Sequence, residues 1–203
     1  MPAGPDTTLR PEPRELAGIF ALAALYFIAG KFGLSLAIIH PSASMVWPPS
    51  GLAFAAVLLW GYRLWPGVFL GAFLVNITTQ GTLLTTLGIA AGNTLESLLG
   101  AWLIQQFANG PKVFERARNI FKFVLLAAFL STTVSATFGV TSLALGGYVP
   151  WSSYGAVWLT WWFGDITGVL LAGPVVVIWV TQPYPTLKFS RILEAVGLLL
   201  TLA

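Results

Sequence analysis

The chain has 203 residues, 57% of them hydrophobic and 8% charged, with no cysteine and one histidine. A soluble domain carries roughly 25% charged residues, so lipid is the only solvent that suits such a surface. The lack of cysteine excludes a disulfide framework and a thiolate metal site. The lone histidine excludes a multi-histidine metal site or a haem pair. The formal net charge of +3 belongs to residues flanking apolar stretches, which favour anionic lipid head groups and are not a nucleic-acid signal.

Met1–Arg14 holds four prolines and both charge signs and is expected to be a disordered cytoplasmic tail. No small-residue cleavage site follows a short apolar core, so no cleavable signal is read. Residues 15–203 are then one integral membrane domain. Leu16–Ile39 is the first apolar stretch, long enough at about 1.5 Å per residue to cross a hydrocarbon core roughly 30 Å thick. His40-Pro41-Ser42 ends it. Trp47–Trp60 and Leu64–Ile77 follow, joined by Gly61-Tyr62-Arg63, and each is about 14 residues, short for a span. A re-entrant hairpin would carry Arg63 to membrane depth at a cost of at least ~3 kcal/mol. Two short spans avoid that cost and leave Trp60, Tyr62 and Trp65 in a head-group belt.

Leu83–Phe107 is the fourth span, ended by Asn109-Gly110-Pro111, and Lys112–Arg118 is a charged loop. Phe121–Leu145 is the fifth span and Gly146–Pro150 a turn. Ser152–Val180 is the sixth; Gly164, Gly168, Gly173 and Pro174 interrupt it, and Pro174 predicts a kink or opened backbone because it cannot donate to the carbonyl of Leu170. Leu193–Ala203 begins a seventh span that is too short to cross. The expectation is an all-α, polytopic transmembrane bundle of about seven spans, cut from an intact domain of about eight.

Positive charge fixes the expected orientation. Arg10 and Arg14, then Arg63, then Lys112, Arg116, Arg118 and Lys122, then Lys188 and Arg191 fall in alternate gaps between the apolar stretches. The intervening gaps at 41–45, 79–82 and 146–151 carry no charge. Positive charge held on the cytoplasmic side gives this pattern and places the N-terminus in the cytoplasm. The one exception is Lys31.

Three ionisable residues lie within the spans: Lys31, Glu96 and Asp165. Counting from the uncharged ends, Glu96 and Asp165 sit at nearly the same depth, roughly 20 Å, and Lys31 at roughly 13 Å. A charge near the bilayer centre is expensive unless paired or wetted, so Lys31 is expected to pair with Glu96 or Asp165. Such a group is either an interhelical lock or a polar, proton-responsive cluster; snorkelling by Lys31 is the remaining reading. Asn93 shares a helix face with Glu96, and Gly92 and Gly164 beside the acids would let neighbouring elements approach closely. Trp47-Pro48-Pro49-Ser50-Gly51 opens the second stretch with prolines suited to a first helical turn, whose free N–H groups also suit an anion. Trp158, Trp161 and Trp162 form either a packed interface or an aromatic wall around a ligand. Asn76 ends the third stretch and caps it or lines the same cavity. His40 lies at the outer interface, where it senses pH or is a bystander.

An ordered set of motifs carries a resemblance. It runs through Trp47-Pro48-Pro49-Ser50-Gly51-Leu52-Ala53, then Arg63-Leu64-Trp65-Pro66-Gly67-Val68-Phe69-Leu70-Gly71-Ala72-Phe73, then Gly92-Asn93-Thr94-Leu95-Glu96. It closes with Trp161-Trp162-Phe163-Gly164-Asp165, Gly168-Val169-Leu170 and Pro174. From about residue 15 onward the chain resembles the first class of bacterial membrane-associated sensor domains (MASE type). The resemblance implies an inner-membrane input domain N-terminal to cytoplasmic output modules, either histidine kinases or enzymes of cyclic-di-GMP signalling. It assigns no ligand. Resemblance and burial together single out Trp47, Pro48, Pro49, Asn93, Glu96, Trp162, Gly164 and Asp165, with Lys31, Asn76 and Trp161 added by placement.

The implied partners are the bilayer, an unidentified small-molecule or physical stimulus, an output domain in the same chain, and a second copy of the chain; no nucleic acid, cofactor or metal is expected. A sensor is the leading reading. A small-solute transporter or substrate-capturing subunit is the runner-up, because broken helices and mid-membrane charges are also transporter features. A scaffold that only anchors and dimerises an output module is the third. No nucleotide-binding loop or nucleophilic triad appears, so no catalysis is expected in these residues.

Overall fold

The structure is a computed structural model that describes residues 13–182. The expected disordered tail lies outside the described residues apart from Pro13 and Arg14, which open the first helix, and the Leu193–Ala203 stretch lies outside them entirely. The regular elements are α1 Pro13–Ser35, α2 Pro48–Trp60, α3 Trp65–Ile77, α4 Leu83–Phe107, α5 Ala117–Phe123, α6 Thr132–Leu145 and α7 Tyr154–Thr181. A π-helical segment, Val124–Leu130, joins α5 to α6, so Ala117–Leu145 is one continuous helix. This helix, α1, α4 and Trp151–Thr181 are long and apolar enough to cross a membrane. α2 and α3 have 13 residues each, about 20 Å of helix.

Large apolar side chains cover the outside of the bundle as well as filling its core. Phe20, Leu25, Ile28 and Phe32 of α1 and Leu171, Val175 and Trp179 of α7 face outward. Ser50, Thr94, Glu96, Ser97, Ser135 and Asp165 are buried. When lipid is the solvent, apolar side chains gain only packing from the interior, whereas polar groups gain partners that lipid cannot supply. α2 is apolar on every face and accordingly sits at the centre, packed against α7, α4 and α1. Phe54 and Val57 meet Val68 and Val75 of α3, Ile104 of α4, Phe123 and Val177 in one core. Gly61 ends α2 at φ +98°, a conformation that suits glycine, and its N–H bonds Val57 O at 3.0 Å.

The two ends of the bundle have different chemistry. At one end Arg63 lies 3.7 Å from Glu15, Tyr62 Oη donates to Gln105 at 2.8 Å, and Lys122 Nζ covers the last carbonyl of α4, Phe107 O, at 2.6 Å. At the other end α4 starts on a capping box. Thr82 Oγ1 accepts from Thr85 N at 3.3 Å and Thr85 Oγ1 accepts from Thr82 N at 2.8 Å, which satisfies two of the amide donors a helix start leaves free.

Two expectations are corrected here. The first apolar stretch does not stay helical to Ile39. α1 ends at Ser35, and residues 36–47 form an irregular segment whose Ser42, Ala43, Ser44 and Trp47 are buried. Irregular backbone survives in a membrane domain only where protein satisfies it, and α7 does so here. Trp47 N bonds Gly164 O at 3.0 Å, and Thr167 Oγ1 donates to Met45 O at 2.8 Å. Nor do glycines and Pro174 interrupt the sixth span: α7 is helical throughout. Its glycines mark close approach instead. A Cβ on Gly164 would collide with Ser44 O and one on Gly168 with Trp47 O, and Gly51 of α2 leaves room for the α7 backbone near Gly168 and Gly173.

Candidate functional site

Glu96 projects from the middle of α4 and Asp165 from the middle of α7, and their carboxyl groups face each other. Glu96 is 2% exposed and Asp165 fully buried. The prolines at the start of α2 place Ser50 in its first turn, where its hydroxyl donates to Asp165 Oδ1 at 2.8 Å. Ser135 of α6 faces both acids and holds Trp161 in place, accepting from Trp161 Nε1 at 3.1 Å. One turn along α4, Asn93 donates to Ile89 O at 2.9 Å and accepts from Tyr26 Oη of α1 at 2.8 Å. Five helices therefore converge on one polar cluster at the centre of an apolar bundle.

A chamber of about 10 Å³ adjoins the pair, lined by Ser42, Ser44, Trp47, Asn76, Trp161 and Asp165. That is room for one water-sized occupant. The irregular 36–47 segment forms its wall, held against α7 by the glycine contacts. His40 ties the far side of the same segment to the 146–150 turn. Its Nδ1 accepts from Ser42 N at 3.1 Å, so Nε2 carries the proton and donates to Tyr148 O at 3.3 Å. Four polar atoms around pair and chamber have no hydrogen-bond partner: Glu96 Oε2, Asp165 Oδ2, Ser42 Oγ and Trp47 Nε1.

Of the residues singled out from sequence, Glu96 and Asp165 come together, and Trp47, Asn76, Trp161 and Asp165 share the chamber. Asn93 flanks the pair, Pro49 is buried in the first turn of α2 beside the half-buried Pro48, and Gly164 receives the 36–47 segment. Lys31 does not pair with either acid. Its ammonium donates to Val75 O at 3.2 Å, Thr78 O at 3.1 Å and Thr79 Oγ1 at 3.1 Å, and lies 5.7 Å above the Phe27 ring. The physical reason is twofold. α1 ends four residues after Lys31, which leaves it near the bundle end, and the free carbonyls closing α3 carry the negative end of its dipole.

Trp162 also lies apart from the acids. Its Nε1 donates to Phe129 O at 3.1 Å, and its ring meets Phe129 at 5.7 Å and Trp158 at 5.4 Å. Phe129 belongs to the π-helical segment, where Ser131 N bonds Leu126 O at 3.1 Å and Ser131, Thr132 and Thr133 hydroxyls take up nearby carbonyls. Hydroxyls that compete for backbone carbonyls loosen a helix locally, and Trp162 covers one that results. Trp158, donating to Thr137 Oγ1 at 3.2 Å, Trp161 and Trp162 therefore lock α7 to the Ala117–Leu145 helix.

Tyr26, Ser42, Ser44, Ser50 and Ser135 were not singled out from sequence. Ser50 sits inside the quoted Trp47–Gly51 motif. Ser131, Ser135 and Gly139 recur every four residues, a small-residue stripe that marks a packing face. Tyr26 has no comparable sequence signal.

No curated protein sequence and no solved structure matches the chain. Its sequence matches the MASE1 family over residues 18–203, which spans every described helix except the first turns of α1. An all-helical bundle with four helices long and apolar enough to cross a membrane agrees with that match, and the chain belongs to the MASE1 family of membrane sensory input domains.

Proposed function

We propose that this chain is the sensory input domain of a bacterial inner-membrane signalling protein, multi-pass with its N-terminus in the cytoplasm. It comprises about seven spans. Its output module follows on the cytoplasmic side and is a histidine kinase or a cyclic-di-GMP enzyme. The orientation is supported by the charged loop ends: Arg63, Lys112, Arg116, Arg118 and Lys122 leave the bundle at the end opposite Lys31 and the 36–47 segment.

One observation carries the reading. Glu96 and Asp165 are buried together where α2, α4, α6 and α7 meet, with no basic side chain facing them among the described residues. A packing role alone does not require two acids there, and substituting apolar residues of similar volume would remove a destabilising charge pair. An arrangement held near balance suits a switch, because a stimulus acts only through a difference in free energy between two arrangements. Trp47, Asn76, Asn93, Trp161 and Gly164 act as the surround that transmits a change at the pair to α1, α2 and α7.

The test is the output of the full-length protein carrying Glu96→Gln or Asp165→Asn, with membrane insertion checked in parallel. The expected result is output altered at least about fivefold, equivalent to roughly 1 kcal/mol of coupling. Output identical to wild type under every stimulus reduces the domain to an anchor. The chamber holds nothing larger than a water molecule, which favours sensing over solute transport; uptake of a solute into liposomes by the purified chain would reverse that preference.

A further inference from the structure

Taken singly, the acids are well placed; taken together, they lack a counter-charge among the described residues. The groups facing them from the packed helices are Tyr26 of α1, Ser50 of α2, Ser135 of α6 and Trp161 of α7, and none is basic. Lys31 is committed to the carbonyl end of α3. Each acid retains one oxygen without a partner. Ionised carboxylates are acceptors only, so the pair lacks a positive charge, not a further acceptor. An unneutralised pair of like charges away from water is among the least favourable arrangements a protein can hold.

The chamber supplies an independent observation. Ser42 Oγ and Trp47 Nε1, on residues 5% and 7% exposed, reach it without a partner. An indole N–H only donates, so its partner must accept. A single water in the chamber would accept from it and donate to Asp165 Oδ2, in a space of matching size, with the Tyr26 hydroxyl the other acceptor near the indole.

We infer that Glu96 and Asp165 form a binding site for one monovalent cation, a proton or a dehydrated alkali-metal ion, connected through a one-water chamber to the 36–47 end of the bundle. The donor set for a metal ion is all oxygen, two carboxylates and the hydroxyls of Ser50 and Ser135, which suits a hard cation. The glycine contacts of Gly164 and Gly168 hold the segment against α7 beside the chamber. The cation site deepens the sensor reading and rests on it for any effect on signalling.

Labelling with dicyclohexylcarbodiimide tests the site, because the reagent adds to a protonated carboxyl in apolar surroundings and not to an ionised one. The purified chain in lipid nanodiscs is labelled and analysed by peptide mass spectrometry. The expected adduct is on Glu96 or Asp165. Its rate should fall at least about tenfold when sodium chloride replaces choline chloride at fixed pH, which identifies an alkali-metal occupant. A fall only on going from about pH 5 to about pH 9 identifies a proton. The same dependence in the wild-type unfolding temperature should vanish in the Glu96→Gln/Asp165→Asn double variant. No adduct on either acid, or a rate indifferent to both sodium and pH, overturns the inference. Cation dependence with unaltered signalling in the single variants would end the sensor reading and leave the cation site standing; the reverse pattern would do the opposite.

Discussion

Lys31 and the Glu96–Asp165 pair began as one expected ion-pair cluster and became two regions with opposite character. Lys31 sits at a bundle end with three oxygen acceptors within 3.2 Å. Its charge is answered by the Val75 and Thr78 carbonyls and the Thr79 hydroxyl at the close of α3. The acid pair sits at the centre, with Glu96 Oε2 and Asp165 Oδ2 unpartnered and the Ser50 hydroxyl the one donor bonded to the pair among the described residues. The first arrangement is complete and resists change. The second is incomplete and invites an occupant. A buried charge therefore does not by itself mark a functional site; what separates the two is whether the surrounding fold has already satisfied it.

Four substitutions break or sharpen that comparison. The largest effect is expected from Gly168→Ala, whose Cβ would meet the carbonyl of Trp47. Two main chains cannot both yield, so the variant should lose about 3 kcal/mol or more, read as loss of monodisperse protein or a lowered unfolding temperature. Lys31→Met should cost about 1–2 kcal/mol through its lost charge-assisted hydrogen bonds while leaving signalling intact. A signalling defect as large as that of the acid variants would rejoin the two regions. Trp162→Phe keeps the ring stacking and removes the bond to Phe129 O, for about 1 kcal/mol, measured by chemical denaturation. Glu96→Gln should be the mildest in stability, neutral or slightly stabilising, because it removes one of two like acids and adds an amide donor to the Ser50 hydroxyl already there. A loss of about 3–5 kcal/mol, the size of a broken buried ion pair, would show that a positive charge, either a bound cation or a basic side chain outside the described residues, answers the acids.

Much of the fold was legible in the sequence because its signals are local. The composition of Leu83–Phe107 set both ends of α4, and the matching depth of Glu96 and Asp165 was readable, although the partner expected for them was Lys31 and not each other. Gly164 beside Asp165 announced a close approach, though not what approaches. Ser35 as the true end of α1 was hidden because Leu36–Ile39 is as apolar as the helix before it, and hydropathy cannot tell a span from a buried irregular segment. Lys31 was misassigned for the same reason: its depth was counted from an end that lies elsewhere.

What the sequence alone determined is the solvent this chain folds in, the helical class that solvent demands, and the presence of acids that must face inward. A bilayer leaves a backbone few options, and charge in oil has nowhere else to go. Only the tertiary structure decided which groups answer which charge. Ser50 reaches Asp165 across 115 residues of chain, and Lys31 reaches Thr79 across 48. Such pairings depend on which helix ends fall at the same height, and no local pattern of residues encodes that.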